Sequence, residues 1–223
     1  MNKHIVSSAV ASCVLSVLFG CAPSLKIVSD FSDPSYSVGQ VSAQSKVKLF
    51  TASAVSVLEF SKSFDKEYHS AEEFVPVVRQ QIVDSMKSIL GCAVTLNENA
   101  QDAMSLSVTQ TPGEMEVLFG SAADDFFFVI KGIEVSNKVT SKAPVYMASP
   151  SGGGAFMGGG RSESCVVTMK AELWSVKEKK KMLAYDAIGQ AKVSMMFYGT
   201  ALKAAVGNAV GNMVKYVKTG KTM

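Results

Sequence analysis

Asp124-Asp125-Phe126-Phe127-Phe128-Val129-Ile130 is the stretch on which the reading of this chain turns. A strand with one solvated face alternates apolar with polar residues, and this run does not. Covered on both faces, it is expected to be the central strand of a sheet. Beyond it, Ser141 to Ser164 carries Pro144, Pro150 and the two triplets Gly152-Gly153-Gly154 and Gly158-Gly159-Gly160, a composition that predicts a long flexible loop. Cys165 to Val176 and Met182 to Met196 then read as a hairpin around a Lys-rich turn, with Val167, Met169, Ala171 and Leu173 alternating before Trp174. The chain closes with a predicted helix from Thr200 to about Lys218, whose apolar face is Leu202, Ala205, Val206, Ala209, Val210, Met213, Val214 and Val217. Gly207 and Gly211 lie four apart on this helix, but Lys203, Asn208, Asn212 and Lys215 argue against a membrane span. The two glycines are instead expected to let the helix sit close on the sheet.

In the other direction, Lys46 to Phe60 predicts one or two strands, with Val47 and Leu49 alternating with lysines. Ser70 and Glu73 have capping-box spacing. Phe74, Val78, Ile82, Met86 and Ile89 share a helical face, and Gly91 is placed to stop the helix. Pro76 falls in the second turn, so the helix is expected either to kink or to start later than the cap suggests. Ala93 to Leu96 reads as a strand, Asn97 to Asp102 as a loop, Met104 to Val108 as a strand and Gly113 to Phe119 as a short helical stretch. Together these elements predict an α+β domain over residues 46–223, a mixed four- to six-stranded sheet packed by two main helices. Residues 21–45, polar and without a sustained period, are expected to be a disordered tether.

Lys3 and His4 form a short basic start, and Ile5 to Val17 an unbroken small-and-apolar run. The run ends at Leu18-Phe19-Gly20-Cys21, which resembles the lipobox of bacterial lipoproteins. Residues 1–20 therefore read as a signal peptide. An uncleaved anchor is the competing reading, but Ile5 to Gly20 is 16 residues, short of the roughly 20 a spanning helix needs. The resemblance implies cleavage between Gly20 and Cys21, a diacylglyceryl group on the Cys21 sulfur and an acyl chain, such as palmitate, on its new amino terminus. Several chains hold a protein where one gives only marginal attachment. The same resemblance implies, from Ala22 where such lipoproteins carry Asp when kept at the inner membrane, delivery to the outer membrane with the domain facing the periplasm.

The chain has 22 Lys plus Arg against 19 Asp plus Glu, and so weak a basic balance predicts no nucleic-acid partner. Lys177, Lys179, Lys180 and Lys181 cluster, with Glu178 between them, as a polar turn would. Cys13 leaves with the signal, so Cys92 and Cys165 remain. An oxidising periplasm allows a disulfide between them, while their apolar flanks equally suit buried thiols. No metal-ligand spacing and no cofactor motif is present. A P-loop ending at Gly160-Arg161-Ser162 would need Gly where Ala155 stands and Lys where Arg161 stands. Phe156 and Met157 within the loop are candidates for membrane or partner contact. His69 is the single histidine of the mature chain, with no G-x-S-x-G elbow beside it. Asp124 and Asp125, adjacent on a strand, point to opposite faces and make no natural acid–base pair, so no catalytic residue is assigned.

Val55-Ser56-Val57-Leu58-Glu59-Phe60 before a helix, and Ala123-Asp124-Asp125 followed by Phe127 to Gly132, resemble two segments of a periplasmic α/β domain. That domain is shared by the curli-secretion lipoprotein, the lipoprotein activators of peptidoglycan synthases and the amino-terminal domain of the Tol system propeller protein. The likeness extends over residues 46 to 218, rests on pattern more than on letters, and carries over no functional residue. It implies a non-enzymatic envelope module, anchored through the lipid on Cys21, that binds an envelope protein partner and is open to forming a homo-oligomer. A small-molecule or lipid-binding carrier is the alternative, and a hydrolase ranks below it.

Overall fold

The computed structural model describes residues 26–51, 55–57, 64, 67–97, 119, 122–148, 154–157, 159–194 and 197–221. In chain order the strands and helices are β1 (Lys26–Ser32), β2 (Lys46–Thr51), β3 (Val55–Val57), α1 (Ala71–Leu90), β4 (Ala93–Asn97), β5 (Phe126–Lys142), β6 (Val145–Ala148), β7 (Gly154–Met157), β8 (Gly160–Ser175), β9 (Lys180–Lys192) and α2 (Tyr198–Thr219). The main sheet runs β1-β9-β8-β5-β2-β4, with β3 alongside β5. β2 is parallel to β5 and β4, and β5, β8, β9 and β1 are successively antiparallel. The fold is α+β with a mixed sheet and two main helices.

The all-apolar run sits where its composition requires. Phe126 to Ile130 lie between β2 and β8. Phe126, Phe128 and Ile130 belong to the main core beneath α1 and α2. Phe127 and Val129 face the other way, into a second cluster with Phe50, Phe119, Trp174 and Val176. Asp125 ties the strand starts together: its carboxylate accepts the Lys46 N–H at 2.8 Å, its own N–H donates to the Lys46 carbonyl, and its carbonyl accepts the Val176 N–H.

The helix α1 follows Ser70 as its N-cap and runs through Pro76. A proline in the second turn forfeits a single backbone bond near the solvated end, which the apolar contacts of Phe74, Val78, Ile82 and Met86 outweigh. The cap differs in detail from the expected box. Glu73 reaches back to the His69 N–H at 3.0 Å, while the Ser70 hydroxyl bonds to the Glu72 carboxylate and holds it below the usual carboxylate range. Gly91 ends the helix in the left-handed conformation, its N–H on the Lys87 carbonyl.

The tether expectation fails for residues 26–45. β1 pairs with β9 from Lys26↔Ile188 to Ser32↔Leu183. Ile27 and Val41 are buried, and the Tyr36 hydroxyl donates to the Val217 carbonyl at 2.6 Å. A short edge strand with one bulge has too weak a period to show in a polar sequence. Asp33 fixes this segment to the Lys-rich turn. Its Oδ1 accepts the Ser35 hydroxyl at 2.6 Å, the Ser35 N–H at 2.8 Å and the Lys180 ammonium at 3.1 Å, which lower its pKa to about 2. Stability from this carboxylate is therefore present above the unfolded pKa near 4 and lost as pH falls towards about 2. Asp33→Asn should flatten the acid limb of a pH–stability profile over that window; an unchanged limb would show that the contact adds nothing.

Within the expected flexible loop at 141–164, residues 149–153 and 158 lie outside the described residues, and the remainder is mostly strand. β5 and β8 stay paired to Lys142↔Gly160, and β6 pairs with β7. Glycines reduce side-chain packing without preventing a ladder of backbone bonds. The expected strand Met104 to Val108, and residues 113–118 of the expected helical stretch, lie outside the described residues.

The helix α2 crosses β9 and β8 and lies against α1. Its close approach to the sheet does not use Gly207 or Gly211, whose Cβ positions face open space. The small residue is on the strand. A Cβ on Gly189 would fall 2.9 Å from Ala209 Cα and inside contact distance of the Ala205 carbonyl oxygen and Ala209 nitrogen. Asn208 and Asn212 donate to the Gln190 and Ile188 carbonyls at 3.0 Å, covering the β9 edge from the point where β1 begins.

Candidate functional site

Helices α1 and α2 occupy one face of the sheet, and Phe119, itself helical, packs on the other against Phe127 and Trp174, so among the described residues the part of that face towards β1 and the two ends are where a partner can be met. Register places Phe31, Ala184, Glu172, Val129 and Phe50 in one row across that face. Val28, Asp186 and Lys170 form the next row. Glu172 is buried with its charge compensated: Lys131 and Lys181 reach Oε1 at 3.0 and 2.9 Å, and the Trp174 indole N–H donates to Oε2 at 3.0 Å. Lys181 also lies 5.2 Å from the Trp174 ring centroid. Towards the β1 edge the face becomes solvated. Burial pushes the Asp186 carboxyl up, Asp30 and Glu134 add to the effect and Lys170 opposes it. Here Val28 and Phe31 are 39% and 42% exposed on an edge strand.

The second candidate region is the end of the sheet where β9 stops. Beyond Ser164↔Lys192, β5 and β8 continue as a two-stranded arm with no further ladder partner among the described residues. At its base Glu163 accepts from Asn137 at 2.7 Å and from the Tyr198 hydroxyl at 3.2 Å. A hollow of about 380 Å³ between the end of β9 and the start of α2 is lined by Ala191, Lys192, Ser194, Phe197, Ala201 and Ala204, with Phe197 65% exposed. Lys138, Arg161 and Lys192 are exposed at the same end.

The residues singled out from sequence do not converge. Gly20 and Cys21 lie outside the described residues. Cys92 and Cys165 are both buried and are not bridged. Cys92 follows α1, its thiol directed at the Met86 carbonyl and pushed up by burial. Cys165 sits on β8 between Asn137 and Ala191. His69 is exposed beside the α1 cap. Asp124 lies 3.5 Å from the Thr95 hydroxyl, and Asp125 serves as the strand tie described above. The lysine cluster is a turn: Lys180 pairs with Asp33 and Glu178, and Lys181 with Glu172. Phe156 and Met157 have their backbone in β7, opposite Tyr146 and Val145, with their side chains outside the described residues. Among the described residues no three His, Cys, Asp or Glu side chains come together as a metal site, and no helix is long and apolar enough to cross a membrane.

The β1 edge and Glu172 were missed by sequence reading. Both depend on cross-strand neighbours, which a linear pattern does not contain.

No family model matches the chain, and no curated protein does. Solved structures with a similar course include the hypothetical protein CT253 from Chlamydia trachomatis, at 11% identity and a TM-score of 0.45, covering 78% of this chain and 98% of that one. The PelC dodecamer from Paraburkholderia phytofirmans matches at 10% identity and 0.37, covering 85% and 96%. Lipoprotein GNA1162 from Neisseria meningitidis matches at 10% identity and 0.32, covering 73% and 95%.

Proposed function

We propose that this chain is an envelope lipoprotein, held in the outer membrane through lipid on Cys21, whose periplasmic domain works without catalysis as a protein-binding module of a secretion or wall-building assembly. The observation that carries the reading is the β1 edge. Val28 and Phe31 stand exposed on a strand whose outer backbone groups have no ladder partner among the described residues. Such an edge offers main-chain hydrogen bonds for affinity and two apolar side chains for selectivity, the ingredients of strand addition by a partner. In favour of the carrier reading, among the described residues, stands the hollow beside Phe197, whose walls carry exposed Lys192, Ser194, Thr200 and Ala204 and leave it open rather than enclosing.

Two measurements test this. Cys21→Ser should accumulate as unlipidated precursor; continued incorporation of labelled fatty acid with unchanged membrane fractionation would refute the anchor. Mild crosslinking in intact cells should yield a discrete adduct that Phe31→Lys removes, while its exposed position keeps the stability change within about 0.5 kcal/mol. An adduct of two copies of this chain would identify the partner as itself. Retention of every adduct by Phe31→Lys would exclude this edge.

A further inference from the structure

We infer that the end of the domain carrying Phe197 and the β5–β8 arm is seated on the lipid surface, an inference that rests on the lipid-anchor reading of Cys21. Chain length supplies the first constraint. Strand β1 begins at Lys26, five positions after Cys21, and five peptide units reach at most about 18 Å. Register supplies the direction. Lys26 pairs with Ile188, and Ile188 with Thr168, so β1 starts at the end of the sheet from which the arm leaves. From that level β9 runs on four residues to Lys192, about 14 Å. From Thr168 back to Gly160, the tip of the arm, β8 spans eight residues, about 27 Å, the last four of them beyond β9. The distance from the level of Lys26 to the tip of the arm is greater than the connection to the anchor. The arm cannot stand upright between body and bilayer, and lies along the interface instead.

The chemistry of that end suits an anionic membrane surface. Phe197 is the most exposed large apolar side chain among the described residues, and Val139 on the arm is 43% exposed. Arg161 shares the face of the arm that carries Val139, Lys192 lines the hollow with Phe197, and Lys138 is exposed on the other face of the arm. The nearby acid, Glu163, is occupied by Asn137 and Tyr198, and Glu67 is paired with Lys203. Apolar side chains flanked by cations match the acyl boundary and the phosphates above it. The far end of α2, where Tyr36 meets Val217 and Val38 is exposed, is separated from Phe197 by the whole helix.

The test uses the full-length acylated protein, made with its own leader and reconstituted into vesicles of phosphatidylethanolamine and phosphatidylglycerol with brominated acyl chains. Phe197→Trp and Val139→Trp should each lose most of their added fluorescence and shift to the blue. Val38→Trp, and Trp174 in the unmodified chain, should be unaffected. Quenching of Val38→Trp without Phe197→Trp would invert the orientation and overturn the inference. Absence of quenching at all three sites in protein that carries fatty acid would overturn it too, and would assign the arm to a protein partner while leaving the lipid anchor intact. Protein recovered without fatty acid would remove the anchor and this inference together.

Discussion

Gly189→Ala is expected to destabilise the domain by about 3 kcal/mol or more, lowering Tm by roughly 6–12 °C. The added methyl group would meet the α2 backbone at Ala205 and Ala209, not the end of a movable side chain. Relief therefore needs the whole helix to shift. That helix buries Leu202, Ala205, Val206, Ala209, Val210, Met213, Val214 and Val217 against the sheet, and each large apolar side chain contributes about 1.5–3 kcal/mol when fully buried. The same shift would pull Asn208 and Asn212 from the Gln190 and Ile188 carbonyls. Gly211→Leu is the matched control. Its Cβ enters open space, so a change within about 0.5 kcal/mol is expected. Thermal melts of the two variants that came out in the opposite order would place the close contact on the wrong element.

Glu172→Ala should cost roughly 2–3 kcal/mol, chiefly because it leaves the buried indole N–H of Trp174 without an acceptor. Lys131 and Lys181 are about one-third exposed and can turn to water, so the loss of their ion pairs adds little. Glu172→Gln retains a neutral acceptor for the indole and should cost less, near 1 kcal/mol. Trp174 is the single tryptophan of the chain, so its emission during urea unfolding reports directly on this site. Equal midpoints for Glu172→Ala and the unsubstituted protein would show that the indole bond contributes nothing. A large loss in Glu172→Gln would instead show that the two lysine pairs dominate.

The sequence by itself determined the elements whose burial is written in consecutive residues. Phe126 to Ile130 have no polar face and lie in the sheet interior; the 3.6-residue stripes of α1 and α2 specify the faces that meet the core; and Val167, Met169, Ala171 and Leu173 alternate on a strand. Class, the two main helices and the hairpin all follow from such periods, because hydrophobic burial depends on which side of an element a residue occupies. Tertiary structure alone decided what depends on residues distant along the chain. Polar residues 26–45 order because Tyr36 and Asp33 find Val217 and Lys180. The glycines at 207 and 211 looked like a packing face, yet Gly189 makes the close approach, since the strand's distance from α2 is set by the summed volume of side chains on both elements. The surfaces available to partners were hidden for the same reason. Exposure at Phe31 and Phe197 is decided by which strand lies at an edge and where β9 ends, and a linear pattern of apolar residues carries no record of either.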